Sequence, residues 1–114
     1  MSGYRTFRSG ILDVLKEVRF YDETIAHIEG NHPEVPINLP SLQLAVENAV
    51  SQPTHVEESY GNSVVFIDAS STNASGDPLR VPVKIVTEGT GRVKTVLFAS
   101  STASRKVLWR RSDG

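Results

Sequence analysis

Two periodicities and the point where they change predict an α+β fold for this 114-residue chain: two to three amino-terminal helices packed on one face of a carboxyl-terminal antiparallel sheet of three to five strands. Leu42, Ala45, Val46, Ala49 and Val50 recur at i, i+3, i+4, i+7 and i+8, the stripe of a helix with one buried face. Leu79, Val81, Val83 and Ile85 alternate with Arg80, Pro82, Lys84 and Val86, the period of a half-buried strand. The period changes near residue 54, which divides a single domain of residues 1–114 into a helical part at about 9–52 and a sheet part at about 54–110. This length suits one hydrophobic core.

In chain order, Ile11, Val14, Leu15 and Val18 fall at i, i+3, i+4 and i+7 with Ser9 at an N-cap position, so a first helix is expected over 10–18. Arg19-Phe-Tyr21 reads as a short extended link. Asp22 then caps a second helix, with Glu23 in its first turn and Ile25 and Ile28 as core contacts. Residues 33–40 hold three prolines and form a connector. Pro53 ends the third helix. Val64 to Ile67 is a β-branched and aromatic run bounded by Gly61-Asn62 and by a polar loop from Ser70, which marks a strand. Glu88-Gly-Thr-Gly91 is expected as a hairpin turn that uses its glycines for positive dihedrals, and Val93 to Ala99 as the returning strand. Pro82 lacks an N–H and should meet an edge or a bulge. Residues 54–60 read as a further strand, and Lys106 to Arg110 as a last strand or a basic tail.

Composition excludes some classes. No apolar run approaches the ~18 residues of a membrane span, the first residues do not resemble a secretory signal, and there is no cysteine. Cytoplasm is the default expectation. Residues 1–58 carry four Lys/Arg against nine Asp/Glu, and residues 59–114 carry eight against four, totals of 12 and 13. The basic second half points toward nucleic acid, and equally toward a solvated sheet face balanced by acidic helices.

The densest group of proton-moving side chains is His27-Ile-Glu-Gly-Asn-His32-Pro-Glu34. A residue before proline leaves the helical region, so the helix carrying His27 should stop at Gly30 and leave His32 just beyond it. On a continuous helix the two rings would point about 140° apart; the stop frees His32 to fold back toward His27. The separations of His27, His32 and His55 match no usual zinc spacing, so no metal and no cofactor is expected. A lone histidine near a helix end also interacts with the last carbonyls, a structural role open to His27. His55, beside Glu57-Glu58, reads as a strand-start residue.

The stretch Ile25 to Glu34, followed by a helix ending in Val50-Ser-Gln-Pro-Thr-His-Val56 and a valine-rich hairpin, resembles the phage-associated branch of the barnase, EndoU, colicin and RelE-like RNases. The specific part is the His-Ile to His-Pro-Glu pattern; the family often carries Arg where this chain has Asn31. The resemblance implies a small α+β endoribonuclease, a toxin or phage-linked effector that cuts RNA without a metal, with an inhibitor or immunity protein as a further partner. It implies acid/base roles for His27 and His32. Glu34 is a candidate to orient an imidazole or act as a base. Lys84, Arg92 and Lys94 are candidate phosphate contacts, and Thr95, Ser100 and Ser101 candidate hydrogen-bond donors to phosphate, with Thr95 placed among the catalytic residues. A Thr inside a strand is usually there because β-branched residues fit a sheet, and this reading of Thr95 outweighs the functional one. Tyr60 and Trp109 are candidates for base stacking or for capping the core, and Arg105-Lys106 with Arg110-Arg111 for a backbone-tracking patch or a solubilising tail. The alternative function is a non-catalytic module that binds RNA or a protein.

Overall fold

The chain begins with two strands where a helix is expected. The computed structural model describes residues 3–37, 39–100 and 106–111; Ser101 and Arg105 lie outside them. Strands β1 (Tyr4–Leu12) and β2 (Leu15–Tyr21) form a hairpin through Asp13-Val14. The helical spacing of Ile11, Val14, Leu15 and Val18 is therefore coincidental. It arises because a two-residue turn, and irregularities near Arg8–Leu12 and Leu15–Glu17, reset the phase of two strands that otherwise alternate. Phe7, Val18 and Phe20 are buried while Val14 is 56% exposed in the turn. Ser9, expected as an N-cap, is buried inside β1, and Arg19-Phe-Tyr21 is part of β2, not a link.

Helix α1 (Asp22–Asn31), the single turn α2 (Glu34–Ile37) and helix α3 (Leu42–Ser51) follow. All five apolar residues of the α3 stripe are buried, and Ser41 Oγ accepts from Leu44 N–H as its cap. Then come β3 (His55–Glu58), β4 (Ser63–Thr72), β5 (Pro78–Thr87), β6 (Gly89–Val93), β7 (Leu97–Phe98) and β8 (Val107–Arg110). The last of these settles the two readings of residues 106–110 in favour of a strand.

The sheet order is β1-β2-β6-β5-β4-β3-β8, with β7 also on β5, and the sheet curls into a half-barrel. Eight strands exceed the three to five expected, two of them precede the helices, and β2 runs parallel to β6. The fold is therefore mostly sheet rather than helices before an antiparallel sheet. What the sequence located is β3, β4 and β5. The partner of β5 is β6 over Gly89–Val93 and not a strand over Val93 to Ala99, where only Leu97–Phe98 is strand, as β7. The amino-terminal hairpin adds to the β6 edge.

Cross-strand partners define two faces. Phe7↔Val18, Val18↔Gly91, Val83↔Val93, Val64↔Val83, Phe66↔Val81 and Val56↔Phe66 line the face covered by α3, with α1 against β2. Trp109, opposite Val56, packs on this core, so it caps rather than stacks. Gly89 has φ +85 in the turn, as expected, but Gly91 lies within β6 and serves a different purpose: a Cβ there would sit 2.6 Å from Val83 Cγ1 and 2.7 Å from Leu15 Cδ1. Pro82 does meet a bulge. Between the pairs Val83↔Val93 and Arg80↔Leu97, three residues of one strand face two of β5.

Candidate functional site

In α1, Thr24 and Ile28 are buried, which leaves Glu23, His27 and Asn31 along the exposed side at intervals of four. The helix runs one residue past Gly30. His32 is its C-cap, its N–H donating to Ile28 O at 2.8 Å, and Pro33 prevents continuation. His32 thus turns back beside His27, the rings edge to face with centroids 5.9 Å apart.

Neighbours fix the two rings differently. Asn31 Nδ2 lies 3.2 Å from both His27 O and His27 Nδ1. The backbone carbonyl can only accept, so Asn31 donates to it, and the same amide group lies against the His27 ring and holds its orientation. For His32, Glu34 Oε2 is 3.6 Å from Nδ1, close enough to orient the ring. The side chains of His32 and Glu34 are 46% and 65% exposed.

The basic residues gather on the sheet face opposite the helices. Register places Thr6, Arg19, Arg92, Lys84 and Ser63 in one row across five strands. Lys94, two residues beyond Arg92, extends it; the side chains of Lys84, Arg92 and Lys94 are exposed. This row adjoins the histidines through α1: Arg92 Nη2 is 3.2 Å from Glu23 Oε1, and His27 is one helical turn further along, about 6 Å of rise.

Other expected residues stand apart. Thr95 lies in the bulge between β6 and β7, and Ser100 follows Ala99, whose N–H donates to Pro78 O. Pro78 is six residues from Lys84 along β5, about 20 Å. Ser100 is therefore near the opposite end of β5 from Lys84. Of the basic tail, Arg111 is engaged internally, its guanidinium donating to Gln52 O at 2.6 Å. Arg110 is the cross-strand partner of His55. Tyr60 is 76% exposed in the turn between β3 and β4.

Two groups escaped the sequence reading. One is His55–Glu57–Arg80 on the helix-free face: Glu57 accepts from Arg80 Nη2 at 2.7 Å and contacts His55 Nε2 at 3.0 Å. Burial pushes the Glu57 carboxyl up, but the bonds from Arg80 and His55, together with their charges, outweigh it and hold the carboxyl below its ordinary range. His55 and Glu57 at i, i+2 on one strand were a legible signal; Arg80, reached across β4, was not. The other is a set of planar side chains, Tyr4, Arg19, Tyr21 and Arg92, hidden by reading the first strands as a helix and a link.

Among the described residues, no three of His, Cys, Asp and Glu converge to hold a metal ion, and no helix is long and apolar enough to cross a membrane. Comparison with protein-family models, curated proteins and solved structures finds no match for this chain. The ribonuclease resemblance therefore rests on the residues from Ile25 to Glu34.

Proposed function

We propose that the protein is a metal-independent endoribonuclease in which His27 and His32 move protons and the row through Arg92 and Lys84 holds the RNA backbone. The observation that carries this reading is the histidine pair, its rings edge to face with centroids 5.9 Å apart, one helical turn from the residue that meets a cation row.

The chemistry divides between the two rings. His32, oriented by Glu34, takes the proton of a ribose 2′-hydroxyl at Nε2; the 2′-oxygen bonds to the adjacent phosphorus. The bond from phosphorus to the 5′-oxygen breaks, and His27, acting as the imidazolium with both ring nitrogens protonated, supplies the proton that the departing oxygen takes up and is left as the neutral ring. The products are a 2′,3′-cyclic phosphate and a 5′-hydroxyl. Arg92 and Lys84, with Lys94 beside them, stabilise the extra charge on the phosphorane.

The test is incubation of the full chain with total RNA plus chelator. Cleavage that each of His27→Ala and His32→Ala reduces on the order of 10²-fold or more, at unchanged melting temperature, is expected. RNA binding without cleavage would assign the protein instead to the non-catalytic class, a module that binds RNA through the same face.

A further inference from the structure

We infer that Tyr4, Tyr21, Arg19 and Arg92 form a base-stacking site for a single RNA strand on the outer face of the β1–β2 hairpin, a proposal that names the substrate class of the ribonuclease reading and rests on it. Tyr4 and Tyr21 are cross-strand partners with ring centroids 5.0 Å apart. The Arg19 guanidinium lies 4.8 Å from the centre of the Tyr4 ring, and that of Arg92 4.8 Å from the centre of the Tyr21 ring. The two tyrosine rings are tilted 45° to one another, each with a guanidinium beside it, and Arg19 also hydrogen-bonds Tyr21, so the four form a cluster of planar groups.

Register puts the four on the sheet face opposite the core, Tyr4 is 47% exposed, and β1 ends the sheet path. Helix α1 reaches this face only through Glu23, and Tyr4 also lines a cleft with the cap residue Ser41 and Leu44 of α3. The carboxylates now on the two arginines, Glu17 at 3.6 Å from Arg19 and Glu23 at 3.2 Å from Arg92, are in ion pairs whose side chains are all at least about a third exposed. Such pairs hold little energy in water, so phosphates can replace them. Stacking on tyrosine also holds each guanidinium in place, leaving less motion to lose on binding.

The ligand chemistry follows from the pattern. Aromatic faces take nucleobases without regard to sequence, and arginine planes take either bases or phosphates. A duplex hides its base faces, so this site selects an unpaired strand. Beyond the cluster, Lys84 continues the row from Arg92, so the strand's backbone crosses β2, β6 and β5 on its way past the histidines.

The experiment is binding rather than cleavage. The full chain is titrated with an unstructured RNA 10-mer carrying 2′-O-methyl groups, which removes the nucleophilic hydroxyl, with a duplex of that RNA, and with a DNA strand of the same sequence. The single RNA strand should bind at least tenfold more tightly than the duplex. Ring protons of Tyr4 and Tyr21 in the unsubstituted protein should shift upfield as bases stack on them. Tyr4→Leu and Tyr21→Leu should each weaken binding about tenfold, while Tyr4→Phe and Tyr21→Phe stay near the parent. Equal affinity for duplex, unmoved ring protons, or folded Leu variants that bind like the parent would overturn the stacking site. Tighter binding to DNA than to RNA would overturn RNA as the ligand. Tyrosine-dependent binding by a protein that leaves unmodified RNA intact would keep the cluster and discard the ribonuclease.

Discussion

Glu57 and Arg80 meet across an intervening strand: the carboxylate on β3 accepts a 2.7 Å bond from the guanidinium on β5, passing over Ile67 and Val65 of β4. Both side chains are nearly closed off, at 6% and 13% exposure. The Glu57 carboxyl is held below its ordinary value of 4.5, so the pair adds stability that is fully present above that pH in the folded protein. It is lost as pH falls through the depressed value. Melting temperature followed from pH 7 downward should fall in the acid range, and Glu57→Gln should flatten that fall. At neutral pH the same change should cost about 3 kcal/mol, because Arg80 is left buried without its counter-charge. An unchanged midpoint in denaturant at pH 7 would show the pair to be dispensable.

Gly91 and Gly30 should respond in opposite directions to the same substitution. Gly91→Ala drives a methyl against Val83 and Leu15, both fully buried and unable to withdraw, and should destabilise by about 1–3 kcal/mol. Gly30 stands in α1 with nothing near a Cβ, and Gly30→Ala should stabilise by roughly 0.5–1 kcal/mol. Urea denaturation of the two variants checks both signs. Equal effects would mean that the close approach of β2 to β6 at Gly91 is not a packing constraint.

These two glycines also show what could be read from the chain. Helix α3 was legible because five residues repeat one period without interruption and Pro53 closes it; β5 was legible because four apolar residues alternate cleanly. The hairpin was not, because Asp13-Val14 lacks the glycine of the common two-residue hairpin turns and the bulges shift the alternation into a helical spacing. The parallel contact of β2 with β6 joins residues more than 70 apart, a register that no local pattern encodes. For the same reason the histidine pair and the Lys84, Arg92 and Lys94 group could be named as residues, whereas Arg19, Tyr4 and Tyr21 beside them could not.

His27 and His32 make distinct demands on pH. One ring must hold a proton and the other must lack one, so cleavage should rise and fall as a bell, and chelator should not change its height. Glu34→Gln should lower the rate across the whole profile, since Glu34 Oε2 lies 3.6 Å from His32 Nδ1 and helps to orient the ring. An unchanged rate in Glu34→Gln would remove Glu34 from the orienting role. A profile without a bell would separate the histidines from proton transfer altogether.

Lys84 and Arg92 face each other across β5 and β6 while Arg111 donates to the chain itself, so the three should separate in a salt titration. A single-stranded site releases counterions in proportion to its phosphate contacts, and the slope of log affinity against log salt changes by about 0.7 for each contact removed. Arg92→Ala should flatten the slope by about that amount, and Lys84→Glu combined with Lys94→Glu by more. Arg111→Ala should leave the slope alone and instead lower stability, because its guanidinium satisfies the Gln52 carbonyl just past the end of α3. A slope indifferent to Lys84, Arg92 and Lys94 would mean that RNA does not cross this face, whatever its affinity for the protein.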